Sequence, residues 1–201
     1  MDIRSFFCSS FKKKEEVVTE TPLKKREKSI KVFTDGSSFN NGSKKKQHYG
    51  GIGIFFSDYH EDNTSICLLE TKDTPVTNNI AELKACIKAI EIINDSVFSN
   101  YDKIIVYTDS EYTINSITKW APNWKKNNWK RKSGTKMVDI KNKDLIEKLY
   151  NLYNLYTVEL RHVRAHKSEP LNKESEDYRI WYGNMMADKL ARDASKAIQY
   201  K

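Results

Sequence analysis

The sequence has few cysteines and no long hydrophobic run. Its three cysteines, Cys8, Cys67 and Cys86, lack the spacing of metal ligands, and such an odd number is typical of free thiols in a reducing compartment. No apolar segment is long enough to cross a bilayer, and the apolar stretch near the N-terminus is too short for a secretory signal. We therefore expect an intracellular protein, in the cytoplasm or the nucleus, with no membrane partner.

Positive charge dominates the composition. Lys and Arg number 35 against 27 Asp and Glu, which gives a formal net charge of +8 over 201 residues. This excess favours a polyanionic partner, nucleic acid before membrane, and a Lys-rich surface without such a partner is the alternative. With 38% hydrophobic residues, the chain can bury one core. We expect a flexible basic tail over residues 1–28 and one domain over residues 29–201.

Periodicity predicts the order of the elements. Three apolar runs joined by short polar links predict antiparallel strands: Ile30 to Thr34, "GGIGIFF" and "TSICLLE". The segment "NNIAELKACIKAIEII" has helical spacing, with Asn78 or Asn79 as its predicted N-cap. A strand over Ile104 to Tyr107, a helix over Leu145 to Leu155, the strand "TVELRHV" and the closing helix "GNMMADKLARDASKAI" follow. This order predicts an α/β fold with a mixed five-stranded sheet flanked by helices.

Four carboxylates occupy informative positions in this pattern. Asp35 and Asp109 end the first and fourth strands, Glu82 lies in the first turn of the first helix, and Asp188 lies early in the closing helix. Each has an ordinary alternative role, since Asp also starts turns, Glu82 favours the helix dipole, and Asp188 fits a solvated helix face. If the four converge, their mutual repulsion requires cations, and oxygen ligands favour Mg²⁺ or Mn²⁺ over zinc.

The motifs that carry these carboxylates resemble those of the type 1 ribonuclease H family. They occur in the order "TDGS", "TNNIAEL", "YTDSEY", "VRAH" and "GNMMADKLA". The resemblance extends from about Ile30 to Ile198. Within it, "WAPNWKKNNWKRKSG" and the following "KNKDL" resemble the basic handle of that family and the helix after it.

The resemblance implies a ribonuclease H-like fold and an endoribonuclease that hydrolyses the RNA strand of RNA/DNA hybrids, leaving 5′-phosphate and 3′-hydroxyl ends. It implies two Mg²⁺ ions, with Mn²⁺ as a substitute. Asp35 would bridge the ions, Glu82 and Asp109 would hold one, and Asp188 the other. His166 matches the family histidine that assists proton transfer or product departure, which completes an implied catalytic set of five residues.

The resemblance also implies contacts with both strands of the hybrid. On the RNA side it points to Asn41, Asn78 and Asn79, and on the DNA side to a phosphate pocket with Thr77 and Asn142. The family position that carries an Arg in animal members is Pro75 here, so a Lys from elsewhere could fill the pocket.

Basic and aromatic residues alternate in the handle, which is typical of nucleic-acid binding. The basic residues of the handle are those from Lys125 to Lys132, including Lys125 and Lys126, and the aromatic ones are Trp120, Trp124 and Trp129. Lys44 to Lys46, in the first loop, add a further basic cluster. The alternative for the tryptophans is core packing beneath the handle, which we expect for at least one of them.

Asp188 follows His166 by 22 positions, a longer separation than in bacterial and animal members of the family. The extra stretch, "KSEPLNKESEDYRIW", is either an inert surface loop or a lid over the cleft anchored by Tyr178 and Trp181.

His162 precedes His166 by four positions, and a zinc pair is conceivable, but no other soft ligand lies nearby in the sequence.

Two other functions remain open. The first is a DNA nuclease of the resolvase or integrase type, which the handle and "TNNIAEL" disfavour. The second is a hybrid-binding module without catalysis, which the presence of all four carboxylates disfavours.

In the tail, Ile3, Phe6 and Phe7 resemble a motif that docks on sliding clamps, although the usual Gln is missing and a chance match is the alternative. We expect a monomer.

Overall fold

A computed structural model describes residues 28–39, 48–71, 75–95, 101–165 and 167–197. The helices and strands are β1 (Ser29–Phe39), β2 (Tyr49–Phe55), β3 (Thr64–Leu69), α1 (Asn78–Asp95), β4 (Lys103–Thr108), α2 (Glu111–Asn115), a π-helix (Ser116–Trp120), α3 (Ala121–Lys126), β5 (Lys130–Ser133), β6 (Lys136–Asp139), α4 (Lys143–Leu155), β7 (Val158–His162) and α5 (Glu176–Lys196).

The main sheet has five strands in the order β3-β2-β1-β4-β7. β1 pairs antiparallel with β2, and β2 with β3, whereas β1 pairs parallel with β4, and β4 with β7. The predicted mixed sheet is therefore confirmed, with β1 at its centre. Thr34 of β1 lies opposite Thr108 of β4, so the residues that follow them, Asp35 and Asp109, lie at the same level of the sheet.

Alternation along the strands divides the core between two helical layers. Val32 belongs to the cluster that includes Leu83 of α1 and Leu149 of α4. Its neighbour Phe33 belongs to a second cluster, which includes Ala187 of α5. The sheet is thus covered by α1 and α4 on one face and by α5 on the other.

Close packing of α5 on the sheet depends on Gly53 of β2. A Cβ at this position would lie 1.9 Å from the carbonyl oxygen of Ala187 and 2.6 Å from the backbone N of Ala191. Any side chain would therefore push α5 away from the sheet. This contact positions the helix that carries Asp188.

The structure corrects four of the local predictions. β1 continues through Asp35 to Phe39 instead of ending there, because residues 37–39 pair with β2. Glu82 lies in the second turn of α1, and the N-cap is Thr77, whose Oγ1 accepts a hydrogen bond of 3.3 Å from the Ile80 N–H.

The fourth correction concerns the closing helix. α5 begins at Glu176, so the second half of the predicted loop "KSEPLNKESEDYRIW" is helical and Asp188 lies in the middle of the helix. The hairpin of β5 and β6 was not predicted, because its strands have no apolar alternation.

Several predictions fall outside the described residues. They concern the tail over residues 1–27 with its clamp-like motif, together with Asn41, Lys44 to Lys46 and His166. They stay predictions. Within the part of the chain that is described, no helix is both long and apolar enough to span a membrane.

Candidate active site

Three carboxylates from distant parts of the sequence meet at the centre of the sheet. Asp35 projects from β1, Asp109 directly follows β4, and Glu82 comes from α1. One carboxylate oxygen of each lies within 4.8 Å of the others. Asp35 and Glu82 are only 7% and 3% exposed, so the cluster lies at the floor of a depression in the protein.

Gly36 allows α1 to approach the central strand. A Cβ on this residue would lie 2.3 Å from the backbone N of Glu82 and 2.4 Å from the carbonyl carbon of Ala81. A larger residue would displace the turn that carries Glu82. The Gly36 N–H also donates hydrogen bonds to the carboxyl groups of Asp35 and Glu82. Sequence reasoning missed this role, although the "DG" pair of "TDGS" was its signal.

Burial and mutual repulsion disfavour ionisation of two of these carboxyl groups. Burial, followed by the charges of Asp35 and Asp109, raises the pKa of Glu82. Burial also raises the pKa of Asp35, with further contributions from Asp109 and Asp188, while the Arg192 charge opposes the shift. Positive charge placed among these groups would therefore stabilise their ionised forms.

The donor atoms fit a hard divalent cation. Glu82 Oε2 is buried and lacks a hydrogen-bond partner among the described residues, so a ligand position is available. The nearby Cys86 thiol does not compete, because burial raises its pKa to about 12 and the sulfur stays protonated. Oxygen-only ligands of this kind suit Mg²⁺ or Mn²⁺.

Asp188 lies on the wall of the same cavity but outside the three-carboxylate cluster. The cavity has a volume of about 510 Å³ and is lined by all four predicted carboxylates. Asp188 Oδ2 accepts a hydrogen bond from the guanidinium of Arg192, one helical turn later, which also lines the cavity. The structure thus brings Asp188 to the site from the α5 side and pairs it with a cation.

This geometry agrees with the comparison to known families. The profile of the RNase H family matches residues 27–196. The chain belongs to the RNase H family.

Individual relatives support the assignment to the type 1 group. The chain is 34% identical to human Ribonuclease H1 over 167 residues, which cover 83% of this chain and 50% of the relative. It is 36% identical to Ribonuclease H of Baumannia cicadellinicola over 150 residues, 75% of this chain and 87% of that protein. The chain therefore spans about half the length of the human enzyme, and the resemblance to type 1 ribonuclease H is confirmed.

A solved structure supports the fold. The crystal structure of LC9-RNase H1, a type 1 RNase H with the type 2 active-site motif, matches with a TM-score of 0.58 and 24% identity. The match covers 85% of this chain and 74% of that one. At this level of identity the likeness establishes the ribonuclease H-like fold alone.

In this RNase H chain, the aromatic part of the handle forms a second cavity, of about 480 Å³. Trp120 and Trp124 line it with ring centroids 5.5 Å apart, and Asn142 donates a hydrogen bond of 3.1 Å to the Tyr112 hydroxyl in its wall. Two cations also line this cavity: Arg131, which belongs to the basic run from Lys125 to Lys132, and Lys141, which the sequence analysis did not name.

The remaining handle residues separate into surface and core. Lys125 and Lys126 are exposed, and the Lys125 ammonium lies over the Tyr150 ring. Trp129 is only 8% exposed and packs edge-on against the same ring at 5.9 Å. It is therefore a packing residue, which corrects its assignment as a substrate contact and agrees with the expectation that at least one tryptophan is in the core.

The start of α1 lies between the two cavities. Thr77, Asn78 and Asn79 are exposed, with Asn78 lining the acidic cavity and Asn79 the aromatic one. Adjacent side chains can thus face different parts of one ligand.

At the end of β7, His162 Nε2 lies 3.2 Å from the carbonyl oxygen of Asp109. Sequence reasoning did not anticipate this contact beside the acidic cluster.

Proposed function

We propose that this protein is an endoribonuclease that hydrolyses the RNA strand of RNA/DNA hybrids. The observation that carries the proposal is the cluster of Asp35, Glu82 and Asp109, because three carboxylates this close stay ionised together only when positive charge is bound among them. In the RNase H family that charge comes from divalent metal ions, which supply activation of water and neutralisation of charge at the scissile phosphate.

We assign the two ends of the site to separate Mg²⁺ ions. Glu82 and Asp109 would hold one ion, Asp188 the other, and Asp35 would be shared. The central position of Asp35 supports this assignment, because its pKa is raised by the charges of both Asp109 and Asp188. In the structure Arg192 supplies the positive charge beside Asp188.

The two cavities suit the two strands of a hybrid. RNA entering the acidic cavity would meet Asn78, whose amide can bond base edges or 2′-hydroxyl groups. The DNA strand would lie across the aromatic cavity, where Asn142 provides an amide and Trp120 and Trp124 provide ring faces. Asn79, which the resemblance assigns to the RNA side, also lines this cavity. Arg131 and Lys141 could bind the DNA phosphates there, in place of the Arg that Pro75 replaces.

Two alternative functions predict different substrates. A DNA nuclease would cut duplex DNA, and a hybrid-binding module would bind without cutting. The test is a panel of end-labelled RNA/DNA hybrid, duplex RNA and duplex DNA, each incubated with Mg²⁺, Mn²⁺ or chelator. We expect cleavage of the hybrid RNA only, dependent on the metal, with 3′-hydroxyl ends.

The matched control is Asp109→Asn, which keeps the size of the side chain and removes one charge. We expect loss of cleavage by a factor of at least about 100 with hybrid binding retained, because the remaining carboxylates no longer neutralise a divalent ion. Substantial turnover of this variant in Mg²⁺ would show that Asp109 is not a ligand. Cleavage of duplex DNA by the wild-type protein would favour the resolvase-type alternative.

A further inference from the structure

The first two turns of α5 reach the acidic cavity through Trp181. They come from the stretch that precedes Asp188 in the sequence, over residues 176–182. Ser175 caps the helix by accepting a hydrogen bond of 3.1 Å from the Tyr178 N–H. Glu176 and Asp177 place negative charge in the first turn, where it favours the helix dipole.

Side-chain contacts attach these turns firmly to the sheet. Glu176 forms an ion pair with Lys31 of β1. The Tyr182 hydroxyl donates a hydrogen bond of 2.9 Å to Asp58 Oδ1, and the Tyr182 ring packs edge-on against Phe55 at 5.9 Å. These turns are therefore anchored to β1 and to the end of β2.

Trp181 extends from this anchored helix to the other wall of the cavity. Its indole Nε1–H, the single donor of the side chain, makes a hydrogen bond of 2.9 Å to the carbonyl oxygen of Lys167. The indole is half-buried and lines the acidic cavity together with Arg164 and Lys167. One hydrogen bond thus connects the anchored helix to Lys167, which lies at the same cavity as Arg164.

The two cations, Arg164 and Lys167, lie at a cavity whose negative charge opposes the binding of nucleic acid. Four carboxylates line the cavity, and their charges repel the phosphates of any nucleic acid that enters. Arg164 and Lys167 are exposed at the same cavity and can bind the backbone on either side of the scissile position. Such binding is strongest when the cations are held in position before the substrate arrives.

We propose that Trp181 is a positioning residue that, through its hydrogen bond to the Lys167 carbonyl, holds Lys167 at the acidic cavity, where Lys167 acts together with Arg164 in substrate binding. The proposal rests on the function proposed above for this site. It assigns a role in substrate affinity to the first turns of α5, which precede Asp188 in the same helix.

The test compares Trp181→Phe with Tyr182→Phe. Each substitution removes one side-chain hydrogen bond from the first two turns of α5 and keeps an aromatic ring, but Tyr182 does not line the acidic cavity. For Trp181→Phe we expect the KM for the hybrid to rise about fivefold with kcat unchanged, the factor expected when one hydrogen bond that contributes to binding is removed. For Tyr182→Phe we expect an unchanged KM.

A double-mutant cycle tests whether Trp181 acts through the two cations. In an Arg164→Ala, Lys167→Ala background, the effect of Trp181→Phe on KM should fall to less than about twofold. A fivefold effect that persists in this background, an equal KM rise in Tyr182→Phe, or an unchanged KM in Trp181→Phe overturns the proposal.

A further measurement does not depend on nuclease activity. Limited digestion with trypsin, followed by mass spectrometry of the fragments, reports cleavage after Lys167, whose carbonyl the indole holds. We expect faster cleavage at this bond in Trp181→Phe and the wild-type rate in Tyr182→Phe. Equal rates in all three proteins would show that the Trp181 indole does not hold Lys167 in place. If the wild-type protein does not cleave hybrids, the proposed function fails, while the digestion still decides whether Trp181 holds Lys167.

Discussion

Replacing Glu82 with Gln should make the metal-free protein more stable while abolishing its activity. Glu82 is 3% exposed, its Oε2 lacks a partner among the described residues, and burial beside Asp35 and Asp109 raises its pKa to about 9. Folding therefore requires either a protonated carboxyl or an unfavourable buried charge. Gln keeps an oxygen that can accept from the Gly36 N–H and the Thr108 hydroxyl, and it carries no charge.

The size of the effect follows from the difference in pKa between the two states. A carboxyl whose pKa is raised on folding contributes its stability fully below the unfolded pKa, and that stability is lost as the pH rises towards the folded pKa. Between the ordinary pKa of 4.5 and pH 7, the loss is about 1.4 kcal/mol per pH unit, or at most about 3.5 kcal/mol. Because the Gln amide must also be desolvated, we expect a net gain of about 1 to 3 kcal/mol at pH 7.

Urea unfolding in chelator, at pH 4.5 and at pH 7, measures this difference directly. Glu82→Gln should exceed wild type in free energy of unfolding at pH 7 and approach it at pH 4.5. The control is Glu91→Gln on the same helix, which breaks a partly exposed ion pair with Lys148 and should lower stability by less than about 1 kcal/mol. Added Mg²⁺ should stabilise the wild type more than Glu82→Gln. A Glu82→Gln protein less stable than wild type at pH 7, or a difference independent of pH, would refute the reasoning.

Two further predictions concern packing and substrate affinity. Gly36→Ala should lower the free energy of unfolding by about 1 to 3 kcal/mol and reduce hybrid cleavage, because its methyl group would overlap the backbone of α1. The control Gly134→Ala, whose Cβ would meet open space at a φ of +61°, should retain cleavage, and equal activity loss in both would contradict this role of Gly36. Joint replacement of Lys125, Lys126 and Lys130 by Ala should weaken hybrid binding and reduce the slope of log affinity against log salt by up to about 0.9 for each phosphate that is no longer neutralised. An unchanged slope in a salt titration would mean that these lysines do not bind phosphates.

Local patterns were sufficient for the elements that carry most of the site. Helical spacing of Ile80, Leu83, Ile87 and Ile90 predicts α1, and β-branched residues predict β4 with Asp109 at its end. These predictions hold because the period of apolar residues reflects the buried face of each element. The order of the elements predicted the mixed sheet, whereas the pairing of β1 with β4 is known from the structure.

Predictions based on local patterns were wrong where pairing or packing with distant residues decides the outcome. β1 continues past Asp35 because residues 37–39 find partners in β2. α5 begins at Glu176 because Ser175 caps it and the sheet anchors its first turns. Trp129 is in the core because Tyr150 of α4 packs against it. Most of these partners are distant in the sequence.

The amino-acid sequence by itself determined the chemistry available to this protein: oxygen donors on strand ends and helices, a basic handle and the motif order of the RNase H family. Only the tertiary structure decided how those groups behave. The raised pKa values of Asp35 and Glu82 come from burial and from charges on other elements, and the pairing of Asp188 with Arg192 beside them depends on how α5 packs against the sheet. Electrostatic energy depends on distance and solvent exposure, and both are set when distant segments pack together.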